Sequence, residues 1–107
     1  MKISKLVIIL CTVPNEDWAL KLSKKFLDER LAACITQFKN ATSLYYWKGE
    51  IKQTQEVQML IKTDSIHQYK LMRLLKDMHP YETPELLALT VQYVDKQYHS
   101  WLTNLLQ

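Results

Sequence analysis

Apolar and polar positions along the chain fall into seven blocks. Lys5 to Thr12 (KLVIILCT) is a near-continuous apolar run, the pattern of a central strand buried on both faces. Pro14-Asn15 ends it. Asn15 is placed to cap a helix, and Glu16 and Asp17 suit that helix's positive end. Trp18, Ala19, Leu22 and Phe26 then recur at helical spacing with Lys21, Lys24 and Lys25 opposite, and the helix is expected to stop near Arg30.

From Ala33 to Thr63 the helical period disappears. Ala41 to Trp47 (ATSLYYW) is rich in β-formers, and Glu56 to Thr63 (EVQMLIKT) has an apolar centre between polar ends. Lys48-Gly49-Glu50 supplies the turn between them, with the chain's single glycine where a positive φ is wanted. The segment reads as a long hairpin whose arms exceed what a sheet needs. Asp64 or Ser65 can cap a second helix, in which Leu71, Leu74, Leu75 and Met78 fall at i, i+3, i+4 and i+7. His79-Pro80 closes it, because the residue before proline is pushed out of helical geometry. Leu86 to Val94 (LLALTVQYV) reads as a last strand, and Tyr98, Trp101, Leu102 and Leu105 as a short amphipathic helix.

The order β-α-β-β-α-β plus a helix predicts an α+β, ferredoxin-like sheet with strands one and three in the middle and two helices on one face. The apolar run of strand one then asks for a cover on the other face as well. At 107 residues the chain fits one domain, able to bury about two-thirds of its unfolded surface without a metal or disulfide staple.

Composition narrows the function classes. With 48% apolar and 23% charged residues the chain is ordinary globular material, and its net charge of +3 is mild for a nucleic-acid binder. One glycine excludes the glycine-rich phosphate cradles of nucleotide enzymes. The opening MKISKLVIILCTVPNED has too short an apolar run for a signal peptide, and no stretch approaches the ~20 apolar residues of a membrane span. A cytoplasmic protein without membrane contact is expected. An RNA-recognition module of the same topology needs stacking aromatics on strands one and three, and KLVIILCT and EVQMLIKT carry none. An acylphosphatase-like enzyme would want an arginine and glycines after strand one, where CTVPNED stands.

Candidate chemistry is sparse. Cys11, at the carboxyl end of strand one, is either a small core hydrophobe or a soft metal ligand. Cys34, in Ala32-Ala33-Cys34-Ile35, reads as core packing. His79 is either a cap at the helix's negative end or a metal ligand or acid–base group. Met78 lies on the apolar stripe of helix two, yet thioether, thiolate and imidazole together suit copper(I). Pro84 fixes Glu82 and Glu85 on extended backbone, and both read as solvated. Tyr45, Tyr46 and Trp47 alternate across a strand, so the hairpin tip carries aromatics on both faces, which points to an interface with a partner. A thiol enzyme using Cys11 and His79 would need an orienting third residue and an oxyanion site. Neither is identifiable, so no catalysis is expected.

ERLAAC (Glu29 to Cys34), ATSLYYWKGEI (Ala41 to Ile51), EVQMLIKT, HPYETPE (His79 to Glu85) and Trp101-Leu102 together resemble the CutA family, named for divalent cation tolerance. The resemblance runs in register from about Val7 to Leu105. It implies a ferredoxin-like homotrimer similar in architecture to PII signalling proteins, with the hairpin reaching neighbouring subunits. It also implies a role in tolerance of copper and other divalent metals, with a signalling partner or small ligand at subunit clefts as the alternative. Copper ligands proposed for enterobacterial-type members are a cysteine ending strand one and two adjacent histidines before the Pro-Tyr. Cys11 matches the first and His79 the second histidine, while Met78 replaces the other.

Overall fold

The computed structural model describes residues 5–106, so the first four residues of the segment weighed as a signal peptide lie outside it. Among the described residues are β1 (Leu6–Val13), α1 (Glu16–Asp28), β2 (Cys34–Trp47), β3 (Glu50–Asp64), α2 (Gln68–Met78), β4 (Leu87–Thr90) and α3 (Lys96–Leu105). The strands form one antiparallel sheet in the order β2-β3-β1-β4, with strands one and three in the middle as the element order predicts. No helix among the described residues is long and apolar enough to cross a membrane.

β1 sorts its apolar run by parity. Ile9, Cys11 and Val13 stand opposite Ile61, Met59 and Val57 on β3, and this face packs under α1 and α2 with Ala19, Leu22, Phe26, Leu71 and Leu75 in one buried cluster. Leu6, on the opposite face, packs with Ala33, Leu102 and Leu106 in a second cluster made by α3. Ile8 and Leu10 follow Leu6 on that face and are half-buried, opposite Leu89 and Leu87, which are 50% and 51% exposed. α3 therefore covers one end of the second face and leaves the rest open.

α1 starts where expected: the Asn15 side chain accepts the Trp18 N–H at 2.9 Å, satisfying one of the helix's orphan donors. It ends on Arg30, held at φ 55°, with the Leu31 N–H returning to the Phe26 carbonyl, a left-handed closure usually given to glycine. α2 begins two to three residues later than a cap at Ser65 or Asp64 suggested. Asp64 belongs to β3, and its carboxylate accepts the His67 N–H from across the intervening turn.

The hairpin arms are longer than the β-rich stretches alone indicated, because Cys34–Phe38 also pairs with β3. The register shifts between Phe38 and Ala41, where Asn40 takes φ 57°, and the tip closes on Lys48 (φ 51°) and Gly49 (φ 80°), a two-residue turn of the kind hairpins favour. Beyond the shift Tyr45, Tyr46 and Trp47 are 42%, 78% and 54% exposed. This projection stretches the molecule to 51 × 26 × 22 Å with a radius of gyration of 14.7 Å, against about 13 Å for a compact chain of this length. β4 is shorter than Leu86 to Val94, since the Val91 N–H bonds to Leu6, the first residue of β1, and the chain then turns under α3.

Candidate functional site

The carboxyl end of β1 and the end of α2 meet. His79 is the C-cap of α2, with extended φ −66° and ψ 136°, the conformation that Pro80 imposes on its predecessor. Its Nε2 lies 2.7 Å from the Thr12 carbonyl oxygen, and the Tyr81 N–H points at its Nδ1 from 3.0 Å. A carbonyl can only accept and an amide N–H can only donate. The imidazole is therefore the neutral form that carries its proton on Nε2. Both ring nitrogens are engaged, and the side chain is buried.

Cys11 is fully buried, and its thiol donates to the same Thr12 oxygen at 3.6 Å. The two side chains singled out by residue type thus converge on one backbone oxygen. Burial pushes the Cys11 thiol up to about 12, with the charges of Glu85 and then Glu56 pushing it the same way. Met78 is half-buried and packs against the main core cluster, so in this structure it serves the apolar stripe.

Three participants carry little sequence signal. Tyr81 donates its hydroxyl to Glu56 Oε2 at 2.8 Å, and its ring lies 4.9 Å from the His79 ring centroid. Burial, the hydrogen bond to Glu56 and that carboxylate's charge hold the phenol above its ordinary range. Glu56 is buried, although it reads as the polar end of a strand. Glu85 is half-buried and close enough for its charge to act on Cys11, where a solvated residue was expected; Glu82 is exposed. Cys34, expected in the core, is half-buried, and both cysteines are free thiols.

Chemically, the thiol sulfur of Cys11 and the imidazole nitrogens of His79, with the thioether of Met78 next to His79 in sequence, are donors of types that suit a soft ion. They are not gathered as a ready cage. Among the described residues no group of three or more His, Cys, Asp or Glu side chains is placed to hold a metal. Cys11 and His79 are the side chains that would hold such an ion, and binding there would require the thiol to lose its proton and the His79–Thr12 hydrogen bond to open.

A family profile described as "CutA1 divalent ion tolerance protein" matches residues 7–105. The chain belongs to the CutA1 family. It is 51% identical over 102 residues to the divalent-cation tolerance protein CutA of Citrobacter koseri, covering 95% of this chain and 89% of that one. Its identity to the CutA protein of Pectobacterium atrosepticum is 52% over 96 residues, covering 90% and 87%. Among solved structures, CutA from Xylella fastidiosa superimposes with a TM-score of 0.93 at 38% identity, covering 97% of this chain and 100% of that one. The CutA fold and the family's connection with divalent-cation tolerance are thereby shown for this chain.

Proposed function

We propose that this CutA-family chain acts in metal tolerance as a non-enzymatic, cytoplasmic homotrimer that takes up copper weakly through Cys11 and His79, with Met78 as an assisting thioether. The convergence of Cys11 and His79 on the Thr12 carbonyl carries the reading. Weak binding follows from the same geometry. A thiol held at about 12 instead of 9.0 opposes thiolate formation by about 4 kcal/mol, at 1.36 kcal/mol per pH unit. The free cysteines suit a reducing compartment, where copper(I) is the form such a ligand set prefers.

Copper(I) titration against a competing chelator tests this in the wild type, Cys11→Ala, His79→Ala and Met78→Leu. The alanine variants are expected to lose at least tenfold in affinity, about 1.4 kcal/mol, and Met78→Leu, which keeps the packing volume, less. Equal affinity in all four removes these side chains from the account.

The trimer is supported by the open sheet face around Ile8, Leu10, Leu87 and Leu89 and by the two-faced hairpin tip. Light scattering at micromolar concentration is expected to report three times the chain mass of 12.7 kDa. Tyr46→Glu with Ile51→Lys, a directly opposed pair on the hairpin, should reduce that mass. A wild-type monomer would refute the assembly. A PII-like transducer is the second reading. It is favoured by a cleft of about 340 Å³ beside α3, lined by Ile8, Val94, Tyr93, Tyr98 and Leu102 among others. A ligand seated there would raise the melting temperature by favouring the native state.

A further inference from the structure

We infer that the hollow bounded by the start of β1, the end of β4 and α3 binds a small monocarboxylate with a compact apolar body. The site is separate from the Cys11–His79 pair, and the inference holds whether or not the chain takes up copper.

The hollow has a volume of about 550 Å3, within the range of about 300–1,000 Å3 usual for small-molecule sites. Its wall is divided by chemistry. Leu6, Val91 and Val94 form the apolar part, with Leu6 buried and both valines half-buried in the cluster that α3 makes against the sheet. Lys5, Thr90, Gln92 and His99 form the polar part. They bring an ammonium, a hydroxyl, an amide and an imidazole, all groups that donate hydrogen bonds. No aspartate or glutamate lines the hollow. Asp95 follows Val94 in sequence, but its carboxylate caps α3, accepting the Tyr98 N–H at 3.0 Å.

The backbone that carries these groups is tied down on all three elements. The Lys5 main chain donates to Ser65 Oγ at 3.3 Å and accepts the Ser65 N–H at 2.8 Å. The Val91 N–H joins the end of β4 to the Leu6 carbonyl at 2.9 Å. On α3 the His99 N–H bonds to the Asp95 carbonyl at 2.9 Å, and the Thr103 hydroxyl donates to the His99 carbonyl at 2.8 Å. A ligand therefore has little backbone left to order, which lowers the cost of binding.

Charge and shape select the ligand. Lys5 is the only permanent cation among the lining residues. There is no arginine to grip a phosphate bidentately, and the chain's single glycine stands at the hairpin tip, so no bare-backbone cradle exists here. One carboxylate matches one ammonium with neutral donors around it. A branched or aromatic body matches Leu6, Val91 and Val94. None of the lining residues belongs to the hairpin or to the open sheet face of Ile8, Leu10, Leu87 and Leu89, so the site does not compete with the proposed trimer contacts. A ligand held here touches β1, β4 and α3 together and fastens α3 to the sheet.

Two-dimensional 15N–1H spectra of the full-length, metal-free protein test the inference by titration with benzoate. Benzamide serves as the uncharged counterpart, and inorganic phosphate as an anion without an apolar body. Benzoate is expected to shift the amides of Lys5, Gln92 and His99 saturably. Lys5→Gln should weaken it about three- to fivefold, the upper range for an exposed ion pair. That variant leaves the fold intact, because both hydrogen bonds to Ser65 use the Lys5 main chain. Gln92→Glu, which puts a negative charge on the exposed rim, should weaken benzoate at least as much. Benzamide should bind the wild type no better than benzoate binds Lys5→Gln, and phosphate should not saturate. Absence of a saturable shift at these amides overturns the inference, as does equal benzoate affinity in the wild type and Lys5→Gln. Shifts confined to Tyr98 and Leu102 would put the ligand in the adjoining cleft of about 340 Å3 and overturn the assigned site. Phosphate or benzamide binding as tightly as benzoate would overturn the assigned ligand class.

Discussion

Between pH 9 and pH 12 the folded protein is expected to lose about 4 kcal/mol of stability through Cys11 alone, at 1.36 kcal/mol per pH unit. The folded thiol keeps its proton to about 12, whereas the ordinary value is 9.0. Below 9 the thiol is protonated in both states, and its contribution is fully present and flat. Above 9 the unfolded chain releases the proton and the folded chain does not. The unfolded state then binds fewer protons, and unfolding becomes easier by about 1.4 kcal/mol per pH unit until the folded thiol ionises. Burial is the leading cause, with the charges of Glu85 and Glu56 behind it. Tyr81, whose phenol is also held above its ordinary range, adds to the loss with the same sign. Urea unfolding at fixed chain concentration, from pH 7.5 to 10.5, should show Cys11→Ala less stable at neutral pH by about 1 kcal/mol, because it leaves a small cavity. Its stability should fall less steeply above pH 9, and because the wild type loses about 2 kcal/mol through the thiol by pH 10.5, the two curves should cross. Parallel curves would mean that the Cys11 thiol is not the group titrating.

What the sequence disclosed depended on how locally each feature is determined. The start of α1 needs only Asn15 and its own first turn, and the stripe of Ala19, Leu22 and Phe26 needs only the helical period. Both were legible. Strand boundaries are settled by partners. Cys34–Phe38 carries no strong β pattern, yet it joins the sheet because β3 lies alongside. Val91–Val94 continues a strand-like alternation, yet it leaves the sheet because β1 begins only at Leu6 and offers no further partner, and Val91 and Val94 pack in the cluster with Leu102 of α3.

The site divides in the same way. Cys11 and His79 are recognisable by residue type, but only the topology brings the end of α2 to the end of β1. Thr12 contributes a carbonyl, which no side-chain signature reveals. Glu56 looks like the solvated edge of an apolar stretch, and nothing before the fold pairs it with Tyr81 across 25 positions. The one available hint lay in HPYETPE itself. A tyrosine just after a helix-closing His-Pro is held by a rigid turn, and a buried phenol asks for an acceptor.

Truncation of Phe26 is expected to be the most damaging single change, with Phe26→Ala costing about 3–5 kcal/mol against about 1 kcal/mol for Phe26→Leu. The ring is fully buried on α1, in the cluster that also holds Ile9, Met59, Ile61, Leu71 and Leu75. Its loss leaves a cavity where α1, α2 and the sheet converge, although the Phe26 carbonyl can still receive the Leu31 and Ala32 N–H groups that end the helix. Urea midpoints measure the cost, and a loss below about 1.5 kcal/mol would place the centre of the core elsewhere. The same variant reports on the site, because Cys11 belongs to that cluster. In the wild type a fully buried thiol held at about 12 should react with iodoacetamide at pH 8 only through opening of the structure, far more slowly than the half-buried Cys34. When reclosing outruns labelling, the rate follows the opening equilibrium. A destabilisation of about 4 kcal/mol should then accelerate Cys11 labelling by roughly three orders of magnitude, at tenfold per 1.4 kcal/mol. Much faster labelling of wild-type Cys11 would mean that the thiol is reachable without unfolding, and the burial argument for weak copper binding would fall with it.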